Sequence, residues 1–303
     1  MMNYETENRI KHAEKFYASF LKYAQIVFAD IANDGTADME SISKEITALR
    51  NEIQYNLRFL LYARHCIEPV SNEIYLASHA VHSTVIAMVI GKYLKLPPHR
   101  LLELGIAAFL HDIGMLKLSR ETFFKGLDLT KPEKGLVFTH PIHSHSMLKS
   151  FKCTAAITQA VLEHHERENG SGYPRKLTGQ SISLYGKIIA VACSYEALSA
   201  KRSYKEAKDQ HSGIVELIKN QGNQYDMTVI KALVTALSIY PIGTFVLLSN
   251  GKQGRVFDID PANQHYPVVQ VDKEIIIRTA NDGISIVRPL PVPVTAKPAS
   301  KQQ

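Results

Sequence analysis

The chain of 303 residues has no tryptophan and only three cysteines, Cys66, Cys153 and Cys193. Three scattered thiols cannot build a disulfide framework, which favours a reducing compartment over a secreted scaffold. Long apolar runs are also missing. The best of them, residues 84–91, falls far short of the roughly 18 residues that a membrane span needs. Glu5 and Glu7 stand where a secretory leader would carry positive charge, so export is not expected and the chain reads as cytoplasmic. Nor is there a block of basic residues. The net charge of +6 is dispersed in single lysines and arginines, the pattern of a solvated surface and not of a duplex nucleic-acid binder. What remains, 45% apolar and 21% charged residues, is an ordinary globular composition with length enough for a large core.

Histidine is the residue type that narrows the function. Ten of the 13 histidines lie between His65 and His165, one third of the chain. Surface imidazoles scatter; clustered ones point to a metal site or to acid–base chemistry.

The periodicity predicts a mainly α protein. A helix is expected over 8–32, broken by Asn33-Asp34-Gly35-Thr36, and a second one starting after Asp38 and running toward Arg64. This N-terminal helical module, residues 1–70, shows no chemistry of its own, and packing or dimerisation is its plainest role. Helices are then expected over 71–95, 98–111, 131–150, 154–166, 183–199, 204–220 and 226–239, making a central domain of residues 71–240. A glycine-rich interruption over 167–180 sits among them, a usual place for function. After Tyr240-Pro241 the pattern becomes extended. Residues 244–248 and 254–257 flank an Asn250-Gly251 turn and read as a hairpin, with two further strands over 268–271 and 274–278. This small β appendage is assigned to 241–290. The tail, rich in Pro, Ala and Lys from Pro289 onward and assigned as a segment to 291–303, reads as disordered.

Two segments concentrate the chemistry. His111-Asp112 ends an apolar helix, and an imidazole beside a carboxylate suits a divalent cation, with the carboxylate able to bridge two. His164-His165 leads into the loop Glu166-Arg167-Glu168-Asn169-Gly170-Ser171-Gly172-Tyr173-Pro174. Taken with Ile113-Gly114 and His140-Pro141, these residues resemble the HD-GYP group of the HD phosphohydrolase superfamily. Ile188-Ile189-Ala190-Val191-Ala192, Ala197-Leu198 and Arg202-Ser203-Tyr204-Lys205 continue the match in order, over roughly 75–240. The resemblance implies an HD-type helical bundle and a binuclear metal site. It also implies hydrolysis of cyclic di-GMP to the linear dinucleotide, with GMP as a further product, and a place in second-messenger signalling beside protein partners.

Carried over residue by residue, the resemblance assigns His79, His111, Asp112, His140, His164 and His165 to the metals. Of the two histidines upstream of the pair, His79 has the better context and His82 is a helix-face residue. Asp112 becomes the bridging and catalytic carboxylate. Tyr173, Arg202 and Lys205 become contacts to the substrate's phosphates or bases. Three positions depart from the family. Cys193 stands where a metal-binding aspartate is expected, either as a thiolate ligand or as a small buried apolar residue. Met115 replaces a frequent lysine. Tyr75 replaces a glutamate that some members use for a third metal, so two divalent ions are expected. Iron is favoured by the resemblance, and manganese, nickel or zinc are compatible with the donors. The departures leave a second reading open: a degenerate member that binds the dinucleotide, or a protein partner, without turnover.

Overall fold

A computed structural model describes residues 4–57, 61, 75–118, 129–199, 210–259, 266–271, 276–279 and 283–291. Its helices run in chain order as α1 (Tyr4–Asp34), α2 (Met39–Tyr55), α3 (Tyr75–Tyr93), α4 (Pro98–Leu110), α5 (Lys131–Val137), α6 (His140–Ser150), α7 (Ala155–Glu163), α8 (Leu184–Ser199), α9 (Gln210–Lys219) and α10 (Met227–Leu237). Five strands follow: β1 (Phe245–Leu248), β2 (Gln253–Ile259), β3 (Pro267–Gln270), β4 (Ile276–Arg278) and β5 (Ile286–Leu290). The protein is thus mainly α, with a helical pair at its N-terminal end and a small sheet at its C-terminal end. None of the helices among the described residues is long and apolar enough to cross a membrane.

Polar residues set the helix starts. Asp38 accepts the amide of Ser41 at 3.0 Å to cap α2, and Asp226 accepts those of Thr228 and Val229 to cap α10. Two helices, α3 and α8, are buried on nearly all sides, as expected of helices apolar around their whole circumference. They pack on each other, and α3 also packs on α4, α10 and α1.

The N-terminal helices share this core. Phe20 and Phe28 of α1 meet Phe109 of α4 with ring centroids 5.5 and 5.6 Å apart. The Ile46 side chain of α2 packs so closely on the α4 backbone that a Cβ on Gly105 would lie 2.4 Å from Ile46 Cγ2. The pair therefore buttresses α4, the helix that ends in His111-Asp112.

Two sequence expectations need correction. The single helix expected over 131–150 is two helices, α5 and α6, separated at Phe138-Thr139. The cause is Pro141. It has no amide hydrogen for the carbonyl of Val137 four residues back, and its ring crowds that carbonyl. The second correction is at the C-terminal end. Residues 286–290 form a fifth strand, so the order is β4-β3-β2-β1-β5 with antiparallel neighbours, and Pro289 is paired opposite Val246. A proline is tolerated there because β5 lies at the sheet edge. The expected hairpin is present, with Val246 opposite Gly254 and Gly251 at φ +80° in its turn. Val246, Leu248, Val256, Val269 and Ile277 form the sheet's own small core.

Candidate metal centre

Three of the imidazoles are aimed by the same local device. A helix leaves its last carbonyls without amide partners, and a histidine just beyond can use one. His111 donates its Nδ1 hydrogen to Ala108 O at 2.7 Å at the end of α4, and His164 does so to Val161 O at 2.6 Å at the end of α7. His140 donates to Val137 O at 2.7 Å, the carbonyl that Pro141 cannot serve. Each bond fixes the tautomer and turns a bare Nε2 inward. His79, in the second turn of α3, is held instead by the carboxylate of Glu196 on α8 at its Nδ1.

Asp112 lies between two groups of donors. Its Oδ1 is 3.0 Å from His140 Nε2 and 3.2 Å from His164 Nε2, and its Oδ2 is 3.5 Å from His111 Nε2 and 3.6 Å from His79 Nε2. Around Oδ1 the group is Asp112, His140, His164 and His165. On the Oδ2 side it is His79, His111 and Cys193, the ligand atoms of each group lying within 4.8 Å of one another. Cys193 Sγ is 3.4 Å from His79 Nε2, which is itself 3.3 Å from His111 Nε2. Rings that donate through Nδ1 present lone pairs at Nε2. Those lone pairs converge on a carboxylate whose buried Oδ1 accepts no hydrogen bond among the described residues. This donor set fits a cation on either side of Asp112.

The electrostatics agree. Burial lowers His111 to about 3, against which the neighbouring Asp112 charge works only in part. Burial lowers His164 as well, and burial with the nearby His164 and His140 rings holds His165 well below its ordinary value. These rings are neutral at physiological pH, the state in which an imidazole can hold a metal. Asp112 resists burial through its histidine neighbours, His111 first, and stays well below the usual carboxylate range. His79 is the exception: burial disfavours its charge, but Glu196 and then Cys193 carry it well above the ordinary value.

Two motif glycines are required by close packing. A Cβ on Gly114 would lie 2.1 Å from His140 O and 2.6 Å from Ser144 N, and the Gly114 amide donates to Ser144 Oγ at 2.8 Å. A Cβ on Gly172 would lie 2.5 Å from both Glu166 Cα and His165 O. The glycine-rich loop is stapled by two buried glutamates. Glu166 accepts the amides of Arg175 at 2.7 Å and Leu177 at 2.9 Å. Glu163 accepts the amide of Ser183 at 2.8 Å and pairs with the Arg175 guanidinium.

The loop brings Tyr173 to the centre in a particular way. Its ring stacks on His165 at 4.6 Å and on Phe138 at 4.3 Å, with interplanar angles of 18° and 22°. Two near-parallel rings this close must lie on opposite faces, so neither face of Tyr173 is open to a nucleobase. Burial also keeps its hydroxyl protonated by raising its pKa. The exposed member of the stack is Phe138, with 48% of its surface accessible.

His79, His111, Asp112, His140, His164, His165, Cys193 and Tyr173 are therefore gathered in one place. Arg202 and Lys205 lie outside the described residues. Tyr75 stacks on His79 at 5.8 Å, and Met115 packs against the main core. Sequence reasoning missed Glu196, Glu163, Glu166 and Phe138. A signal existed for Glu196: a carboxylate inside an apolar helix, three residues after Cys193 and so on the same face.

A helical bundle that carries a His-Asp pair at a helix end, with further imidazoles on either side of the carboxylate, defines the HD class of metal-site proteins. The family model described as HD domain matches residues 61–229, more than half of the chain, and the chain belongs to that family. It is 29% identical over 191 residues to the cyclic di-GMP phosphodiesterase PdeB of Borreliella burgdorferi, a match covering 63% of this chain and 50% of the relative. It is 33% identical over 189 residues to a cyclic di-GMP phosphodiesterase of Pseudomonas aeruginosa, covering 62% of this chain and 45% of that one. The match thus spans about half the length of these curated relatives. The solved structure of an HDG"Y"P protein from Bdellovibrio bacteriovorus superposes with a TM-score of 0.60 over 75% of this chain and 76% of that one. At 17% identity this is a likeness of fold.

Proposed function

We propose that the chain is a metal-dependent phosphodiesterase that opens cyclic di-GMP to the linear dinucleotide, with GMP as the product of a second cut. The reading rests on Asp112, whose two oxygens face two separate donor groups. A bound pair of divalent ions supplies an activated water for in-line attack and neutralises charge on the phosphoryl oxygens. In this reading iron occupies the centre, and manganese, nickel or zinc are accepted by the same imidazole-rich set. Asp112 is the catalytic carboxylate and would be shared between the ions. His79, His111 and Cys193 complete one position, and His140, His164 and His165 the other. Tyr173 meets the substrate by its edge and hydroxyl, because its faces are taken. Arg202 and Lys205 grip a second phosphate. The names of the relatives support cyclic di-GMP as the substrate, and a cytoplasmic second messenger agrees with the free thiols of Cys153 and Cys193 among the described residues.

Cys193 and Met115 favour one competing reading, in which the same site binds the dinucleotide and signals without cutting it. The test is turnover of cyclic di-GMP by protein loaded anaerobically with Fe(II) or Mn(II), products being separated by chromatography, beside Asp112→Ala. Linear dinucleotide from the parent protein and none from the variant is the expected result. Metal-loaded protein whose melting temperature rises with cyclic di-GMP while no product forms would establish the receptor instead.

A further inference from the structure

The two donor groups on either side of Asp112 are unlike in chemistry. On the Oδ1 side stand three imidazoles, His140, His164 and His165. Two of them are oriented by neutral backbone carbonyls. On the Oδ2 side stand two imidazoles and the sulfur of Cys193, and one of those imidazoles, His79, carries the carboxylate of Glu196 on its outer nitrogen. A carboxylate on the far nitrogen makes a ligating imidazole a stronger donor. A deprotonated cysteine brings a soft, charged ligand that selects thiophilic ions. With Cys193 as thiolate, the Oδ2 side holds two negative charges besides Asp112, and the Oδ1 side holds none. All of these groups are within reach: Sγ is 3.4 Å from His79 Nε2, and both are buried.

We infer that this centre sorts two different metals, taking a thiophilic ion such as zinc or cobalt at His79, His111 and Cys193 and a harder ion such as manganese or ferrous iron at His140, His164 and His165. This rests on the dinuclear reading above and adds to it an order of filling. The thiolate position fills first and more tightly, and the other position decides which hard ion the loaded protein carries. Cys193 is then a selectivity determinant, neither a lost ligand nor a buried filler.

Cobalt(II) tests this without reference to turnover, because a sulfur ligand gives it a near-ultraviolet charge-transfer band that nitrogen and oxygen ligands do not. Metal-free full-length protein is titrated with cobalt(II) while absorption and bound metal are followed. The expected result is a sulfur band that grows to the first equivalent and stops, followed by a second equivalent that adds only visible ligand-field absorption. One equivalent of zinc should then erase the sulfur band and leave the other cobalt in place. Cys193→Ser and Cys193→Asp should bind cobalt without the band. Two bound cobalt ions with no sulfur band, or a band that grows evenly over both equivalents, would overturn the sorting while leaving the dinuclear centre standing. A band that survives in both variants would overturn it equally, since another thiol would be responsible. Failure of the parent protein to bind cobalt at all would remove both the sorting and the metal-centre reading.

Discussion

His79 differs from the other oriented rings in what it leans on, and the difference makes Glu196 a positioning residue. Replacing that carboxylate by an amide keeps the shape and removes the charge. In the proposed centre, Glu196→Gln should weaken metal binding at His79, His111 and Cys193 by about 10–100-fold, the usual cost of losing the outer partner of a ligating histidine. Competition against a chelator measures this directly, and a purely structural glutamate would shift the melting temperature without shifting the metal affinity. Phe138 supports a second expectation at this scale. Because Tyr173 has rings on both faces, Phe138 is, among the described residues, the ring of this stack left for a guanine of the proposed substrate, a contact of about 1–3 kcal/mol. Phe138→Ala should therefore raise KM for cyclic di-GMP several-fold while kcat and the hydrolysis of bis(p-nitrophenyl) phosphate change little. An equal loss on both substrates would mean that Phe138 acts only by bracing the loop. The histidines gathered around Asp112 were legible in the sequence through the family resemblance, His111, His140, His164 and His165 by their motif neighbours and His79 by its context upstream of the pair. Glu196 and Phe138 were not, because their roles come from contacts across helices: Glu196 reaches His79 from 117 positions away in the chain.

At the scale of elements, the site is built from helix ends, and its precision depends on how closely those ends approach. The 3-10 turn at Ile113–Lys117 lies against the start of α6, and only a hydrogen fits between Gly114 and the His140 carbonyl. In Gly114→Ala the new methyl meets backbone at 2.1 Å, which no rotamer change relieves, so α6 must move and carry His140 with it. Overpacking of this kind costs about 1–3 kcal/mol. The expected variant folds, melts several degrees lower and retains metal at His79, His111 and Cys193 while losing it at the other position. Elemental analysis beside a thermal melt checks this, and two tightly held metals at an unchanged melting temperature would contradict it. The break between α5 and α6 shows why element boundaries were the less legible part. Helical periodicity runs through 131–150, but Pro141 overrides it by what it withholds from Val137. Glu163 and Glu166 were equally hidden, since a glutamate beside a histidine pair reads as surface until the loop folds back on it.

For the whole molecule, one continuous core carries every helix of the bundle except the short α5, so the buried imidazoles couple the stability of the bundle to pH. The helical architecture was readable from periodicity alone. The fifth strand was not, because residues 286–290 include a proline and run into a tail of disordered composition, and only pairing with β1 makes them a strand. The pH dependence follows from the signs of the shifts. His111, His164 and His165 lie below their ordinary value in the folded protein. As pH falls below about 6.5 the unfolded chain therefore takes up protons that the folded chain refuses. Stability drops over that range, down to about 3 for His111. His79 has the opposite sign: its raised value gives stability that is complete below about 6.5 and is lost as pH climbs through the folded value. Asp112, held well below its ordinary value, contributes a loss only in acid near and below 3.8. Metal-free protein should therefore melt highest near pH 6.5 and lower on either side. Bound metal should lift the curve and displace its maximum upward, since protons compete with the ions for the same nitrogens and for the thiolate. Melting temperatures from pH 5 to 8.5, with chelator and with metal, would show this. A flat profile in chelator would mean that these rings are hydrated in the folded chain, and the packing argument for their neutral state would fall with it.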